Sequence, residues 1–338
     1  TNDNDGPTLK ATLNASLGAG EKLWYSKDNG VTWIDITTSV TGTNVSYVDS
    51  TLTTTRTIQM RVGDAANNFG TAATKLVVID TSGGNNPDGT PDPNTTALVD
   101  ITAITDDTGN STTDFITNDN TLVVKGSVSG FTRTGATAGD QLLVQIKNSL
   151  NIVVATQYVI PDSTGHWVMN NQANTLADGK YTITADVVDL AGNVVKTGDS
   201  QTLVIDTNQG GTDPSDNPNN NPATDPNTAA TISISGITTD TGFSNLDYIT
   251  ADGTLIINGT STLVTAGGGT GDTVRVQIVD AAGRIVGQTY VNNTGAWVFD
   301  NQANTLSDGN YTLKAAIVDA AGNVVKAAAD QPLVISTS

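Results

Sequence analysis

Aspartate is the one side chain in this sequence with both the abundance and the spacing to do chemistry. Of the 34 acidic residues, all but Glu21 are Asp. Asp106, Asp107, Asp114 and Asp119 form one cluster, which returns further on as Asp240, Asp247 and Asp252. Asp178 returns as Asp308, and Asp140 as Asp272, each beside the same Gly. Asp189 lies in Val187-Val188-Asp189-Leu190-Ala191-Gly192-Asn193 and returns as Asp319 in a matching run, while Asp64 ends a related run in the first part of the chain. Asp80 and Asp206 each close a Val-Ile-Asp-Thr stretch or its close variant. Short carboxylates in loops are the usual donors of a calcium site, which takes six to eight oxygens. Carboxylates gathered within ~5 Å repel by roughly 3 kcal/mol a pair at an effective dielectric of ~20, and a divalent cation removes that penalty. The competing reading is that each Asp points into water, or only caps the backbone of its own turn. No EF-hand loop with its closing Glu occurs, so the expectation of Ca2+ rests on clustering alone.

Other chemistries are poorly supplied. Cysteine is absent, which excludes disulfides and thiolate metal sites. The single His, His166, is matched in its sequence repeat by Ala296 and reads as an exposed strand residue. A glycosidase would need two inward carboxylates, usually with a tunable Glu, and one Glu in 338 residues argues against it. The chain reads as no enzyme. A net charge of −19 speaks against nucleic acid and anionic membrane surfaces as partners. No run approaches the 18 apolar residues that membrane insertion needs. The opening TNDNDGPTLK lacks the basic and apolar regions of a signal peptide, so a longer parent chain or another export route is expected. Ser26-Lys27-Asp28-Asn29-Gly30-Val31-Thr32-Trp33 resembles the Asp-box hairpin of sialidases and other β-rich proteins, a structural device in which Asp28 and Gly30 hold a tight turn under Trp33.

The elements that must position the aspartates repeat. Trp167 to Lys196 returns as Trp297 to Lys326 with 21 of 30 positions identical, and tandem copies of one folding unit point to an array. The preference for Asp over Glu fits strands joined by turns better than helices. In the second unit, short Val/Ile/Thr/Leu runs predict strands near Val99–Ile104, Thr121–Val128, Gln141–Lys147, Val153–Val159, Trp167–Asn170, Tyr181–Val188 and Gln201–Ile205. Seven short strands in about 110 residues is the count of an immunoglobulin-like β-sandwich. The fold class expected is all-β: tandem immunoglobulin-like sandwiches in an elongated rod. Two segments rich in Pro, Gly, Asn and Asp, 82–96 and 208–228, read as linkers. The units expected are a short one at 1–81 and two longer ones at 97–207 and 229–338. Trp167, Trp297 and Trp24 are expected to be core or half-core anchors, with a sugar-stacking platform as the alternative for Trp167 and Trp297.

Loops of such a sandwich fall alternately at its two poles. One pole of the second unit should gather Asp106, Asp107, Asp114, Asp119, Asp178 and Asp206, and the other Asp140, Asp162 and Asp189. Opposite poles of consecutive units face each other, which concentrates carboxylates where units meet. The bland reading of the Asp189 and Asp319 turns is a hairpin in which Gly supplies positive φ and Asp caps.

Taken together, the runs ITDDTG, DFIT, LADG, VVD-x-AGNV and VIDT resemble the bacterial immunoglobulin-like repeats of giant non-fimbrial adhesins secreted by type I systems, over Ile104–Thr207 and Ile237–Thr337. The resemblance implies a monomeric, calcium-stiffened rod projected from the bacterial cell surface, with neighbouring repeats of the same chain and the host cell surface, including its glycans, as partners. It implies calcium ligands at Asp107, Asp114, Asp178, Asp189 and Asp206, then at Asp240, Asp247, Asp308 and Asp319. Ser336 departs from the pattern at the place of Asp206, and the long linkers depart from the short junctions of the family. A carbohydrate-binding module, or a spacer of a polysaccharide-active enzyme, is the alternative.

Overall fold

A computed structural model describes residues 1–86, 89–133, 139–207, 229–262, 272–291 and 295–337. The segment 208–228, read above as a linker, lies outside these residues. Among the described residues every regular element is a strand or a short 3-10 turn.

The first unit holds β1 (Thr8–Thr12), β2 (Lys22–Ser26), β3 (Ile34–Asp35), β4 (Val40–Thr41), β5 (Asn44–Val48), β6 (Arg56–Gly63) and β7 (Ala73–Val77). They form two sheets, ordered β1-β5-β4 and β3-β2-β6-β7. The second unit holds β8 (Leu98–Ile104), β9 (Ile116–Thr117), β10 (Val123–Ser129), β11 (Gln141–Asn148), β12 (Val153–Val159), β13 (His166–Asn170), β14 (Gly179–Val188) and β15 (Val194–Ile205). Its sheets run β8-β10-β13 and β12-β11-β14-β15-β9. The third unit repeats this plan with β16 (Ile232–Ile237), β17 (Ile249–Thr250), β18 (Ile256–Ser261), β19 (Thr273–Asp280), β20 (Ile285–Val291), β21 (Gly295–Asp300), β22 (Gly309–Val318), β23 (Val324–Ala327) and β24 (Gln331–Ile335). Its sheets run β16-β18-β21 and β17-β24-β22-β19-β20, with β23 on β22.

Alternation builds each core. β11 turns Leu142, Val144 and Ile146 inward, and all three are fully buried. Trp167 and Trp297 lie at the centre of their cores, 2% and 1% exposed, so neither is a platform for sugar. Each ring occupies space that only a glycine leaves free. A Cβ on Gly126 would fall 2.1 Å from the Trp167 ring, and one on Gly259 would fall 1.9 Å from Trp297. Trp24 takes the half-core place, half-buried at the face of its sheet. Leu23 and Tyr25 on either side of it point inward at 1% and 0% exposure, so strand alternation turns Trp24 outward, edge-on to Phe69. Asp28 closes the Ser26–Trp33 hairpin by accepting from Ser26 Oγ and Thr32 N.

Two strand features were not expected. β15 begins seven residues earlier than the apolar pattern suggested, because Gly198 packs against the Ala185 carbonyl, where a Cβ would lie 2.1 Å away. β9 is only two residues long and pairs in parallel with the end of β15.

Candidate metal centre at the unit junctions

The junctions are built from one hairpin used twice. Between β14 and β15, Gly192 takes φ 92° and Asp189 accepts from Asn193: the backbone N–H donates to Oδ1 at 2.9 Å and Nδ2 to Oδ2 at 2.8 Å. The same Asn193 Nδ2 donates back to the carbonyl of Asp80, the last residue of the previous unit's Val-Ile-Asp run, at 2.9 Å. Between β22 and β23, Gly322 takes φ 89°, and Asn323 caps Asp319 with two 2.9 Å bonds. Asn323 Nδ2 donates to the carbonyl of Asp206, again at 2.9 Å. A further bond crosses this second junction, from Thr108 Oγ1 to the Ala321 carbonyl at 2.5 Å. The contact is close enough that a Cβ on Gly109 would lie 2.0 Å from the Ala320 carbonyl.

The loops at the opposite pole hold their aspartates as backbone caps. Asp107 Oδ2 accepts from Phe115 N, and Asp240 Oδ2 from Tyr248 N, both at 3.1 Å. Asp114 and Asp247 cap Ile116 N and Ile249 N. Asp119 and Asp252 cap Thr121 and Thr254, while Asp178 and Asp308 cap Thr207 and Thr337. Asp106, at φ 51°, contributes its carbonyl to Thr117 Oγ1. Asp64 closes the equivalent hairpin of the first unit through Asn68. Several of these carboxylates spend only one oxygen. Asp80 Oδ2, Asp107 Oδ1 and Asp240 Oδ1 are buried atoms with no hydrogen-bond partner among the described residues.

Electrostatics separates the sites. Asp319 is 2% exposed, and its carboxyl is pushed up to about 7, first by burial and then by the charges of Asp206 and Asp272. Asp107 is raised to about 6 by burial, with Asp114 adding to it. Asp140 is raised by burial and by the neighbouring charges of Asp92 and Asp189. By contrast, Asn68 and Thr254 hold Asp64 and Asp252 below the ordinary carboxylate range. The structure therefore brings together Asp206, Asp272 and Asp319 at one junction and Asp140 with Asp189 near Asp80 at the other. Asp64, Asp119 and Asp252 each cap their own turn, while Asp178 and Asp308 cap Thr207 and Thr337, one residue beyond Asp206 and Ser336. Among the described residues no three acidic side chains converge tightly enough to hold an ion by themselves.

Sequence reasoning missed Asp92 and Asn94, which lie inside the segment 82–96 read as a linker. Asn94 is fully buried and donates to Asp140 Oδ2 at 2.7 Å and to the Thr132 carbonyl, while Asp92 caps its backbone. A usable signal was present: Asp92-Pro93-Asn94-Thr95 returns as Asp225-Pro226-Asn227-Thr228. Asn193 and Asn323 were visible only as turn residues, because their second bond depends on a neighbouring unit.

A family model described as "Bacterial Ig-like domain" matches residues 94–207 and 228–337. No curated protein sequence matches the chain. Among solved structures, the chain is similar to a tetra-tandem repeat in the extending region of a large adhesion protein, with 16% identity, a TM-score of 0.22, and 100% of this chain and 73% of that one covered. It is also similar to the BSP domain of a biofilm associated protein, with 12% identity, a TM-score of 0.22, and coverages of 98% and 64%. Chicken CNTN1 FN1-FN3 domains align at 8% identity and a TM-score of 0.32, with 98% and 96% covered.

Proposed function

This chain belongs to the bacterial Ig-like domain family, and from that membership we propose that it is a non-catalytic spacer and adhesion segment of a secreted bacterial surface adhesin, its units stiffened by calcium where they meet and its role contact with host cells. The reading is carried by the repeated junction: twice, a buried or half-buried Asn reaches from a β-hairpin to the terminal Asp carbonyl of the preceding unit. A hairpin kept for local reasons alone would have no need of that second acceptor.

Calcium fits the chemistry of the residues present. Asp80 Oδ2 and Asp107 Oδ1 are buried carboxylate oxygens without a donor, and leaving such atoms dry is costly. At one junction Asp206, Asp272 and Asp319 would hold the ion, with Asp107 nearby in the loop that meets the hairpin. At the other junction Asp80, Asp140 and Asp189 would do so. Backbone carbonyls and water would complete a shell of six to eight oxygens. Bound there, the cation supplies positive charge that neutralises the carboxylates and ties two units to one point. Because it binds only the ordered junction, it stabilises that state by mass action.

The test is small-angle scattering and thermal unfolding of the three-unit chain in calcium and in EDTA. Calcium should raise the melting temperature and lengthen and narrow the distance distribution. Superimposable profiles and equal melting temperatures in the two buffers would remove calcium from the mechanism.

A further inference from the structure

A sheet edge leaves a row of unpaired N–H and C=O groups, and folded proteins guard such edges with charge, Pro, shortness or a cover. The second unit has four edges, two to each sheet, and three of them are guarded. β9 is two residues long. β8 carries Asp100 and gives its Ile101 N–H to Asp199 Oδ2 at 3.0 Å. β13 gives its Asn170 N–H to Gln157 Oε1, also at 3.0 Å. The fourth edge, β12, pairs with β11 on one side and with no described strand on the other.

β12 is also an edge without charge. Between Lys147 and Asp162, no acidic or basic residue occurs from 148 to 161, in a chain of net charge −19. A bulge at Val154, where the register with β11 shifts, bends the start of the strand. Beyond it the side chains alternate. Ala155 and Val159 point inward at 7% exposure each, whereas Tyr158 and Ile160 stand outward at 58% and 55%, with Thr156 exposed beside them. Leu143 lies across from Tyr158 on the next strand, so the apolar strip continues onto the sheet. The third unit keeps this plan at β20: residues 285–299 are uncharged, and Tyr290 takes the place of Tyr158. There the residue across is Arg275 and the Tyr is half-buried, which leaves β12 the barer of the two edges.

We propose that β12 is a contact between two copies of this chain: residues 156–160 of one copy pair antiparallel with the same residues of the other, and two five-stranded sheets become one. Charge and symmetry select this partner. The open backbone needs a strand to complete it. Two copies at −19 each repel wherever their carboxylates meet, and this strip brings none together. Residues opposite each other in an antiparallel pair share a face of the sheet, so a two-fold axis normal to the sheet sets one residue against itself. With Tyr158 on that axis, Tyr158 meets Tyr158, Thr156 meets Ile160, and Gln157 meets Val159. Each exposed side chain of the strip is then matched by another from the same strip, an isologous contact that closes at two copies. The rod, expected above to be a monomer, thereby joins a second copy side by side.

The experiment uses the whole chain, whose lack of cysteine makes a single introduced thiol specific. Cα atoms across an antiparallel pair lie about 4.5–5.5 Å apart, within the reach of a disulfide. Under mild oxidation Tyr158→Cys should cross-link to a dimer at least about tenfold faster than Leu98→Cys, a position 68% exposed on β8. In sedimentation velocity the unsubstituted chain should pass from monomer to dimer as its concentration rises. Thr156→Lys combined with Ile160→Lys should return it to monomer, because the pairing would set Lys against Lys. Both positions are exposed, and an unchanged melting temperature of the diluted variant checks that it still folds. A monomer up to about 1 mM overturns the proposal, as does equal cross-linking at 158 and 98 or a dimer that survives both Lys substitutions. Cross-linking of Tyr290→Cys without that of Tyr158→Cys would assign the contact to the third unit and overturn it too.

Discussion

Asn323→Ala tests the junction most directly. The side chain is 8% exposed and makes two bonds through Nδ2, one to Asp319 within its own hairpin and one to the Asp206 carbonyl of the unit before. A neutral bond contributes about 1 kcal/mol and a bond to a carboxylate roughly 1.5–3 kcal/mol. Truncation also leaves a carbonyl and a carboxylate oxygen in a nearly dry site, where water restores little. The expected loss is about 3 kcal/mol, felt at the end of β22 and at the second junction. Asn193→Ala removes the same pair of bonds at the first junction, but that side chain is half-buried, so water replaces part of what is lost and the expected cost is about 1 kcal/mol. Native-state hydrogen exchange reads both losses, in segments 309–318 and 179–188 of the same chain. The reasoning fails if the two substitutions cost the same, or if Asn323→Ala leaves β22 protection within about 0.5 kcal/mol of the parent.

Three further outcomes follow from the packing and the charges. In metal-free buffer the third unit should become less stable as pH rises from 4 to 7, because the unfolded chain gives up the Asp319 proton near 3.8 while the fold keeps it to about 7. The stability is complete below the lower value and lost through the upper one, a change of roughly 4 kcal/mol at most; a melting temperature that climbs over that range would contradict it. Asp319→Asn should flatten the profile. Gly259→Ala should cost more than about 3 kcal/mol, since the added carbon would meet both the Trp297 ring at 1.9 Å and the Ser233 carbonyl at 2.3 Å; a soluble, natively melting variant would show that the ring has room to move.

The fold was legible because its signals are local. Runs such as Gln141–Lys147 alternate cleanly, and the duplicated Trp167–Lys196 block marks a repeated unit whatever its structure. Most of the misses have a different cause: they depend on a partner distant in sequence. Parallel pairing of Ile116–Thr117 with Val204–Ile205 leaves almost no pattern in two residues. The early start of β15 runs through Lys196-Thr197-Gly198-Asp199, a polar stretch that reads as a turn until the Ala185 carbonyl is seen against Gly198. At the candidate site, turn chemistry announced Asp189 and Asp319, but nothing in AGN alone says that its Asn reaches another unit. The Asp92–Thr95 segment was hidden by composition: Pro, Asn and Asp describe a solvated linker and a buried cap equally well.

The near-absence of Glu has a geometric explanation in these loops. Asp107 gives one oxygen to Phe115 N and keeps the other buried and free of donors; Asp240 repeats this with Tyr248, and Asp80 does the same with Ser82. A carboxylate one methylene from the backbone can cap a nearby N–H, and that bond fixes where its second oxygen points. Glu adds a rotatable bond and reaches past the nearest amide, so it would lose either the cap or the aim. One residue type thus closes the turn and holds its second oxygen in a fixed, buried place. Substituting Glu for Asp107 should therefore damage the junction more than the conserved charge suggests, whereas the same exchange at Asp162, which serves only the exposed Thr164–His166 turn, should stay within about 1 kcal/mol.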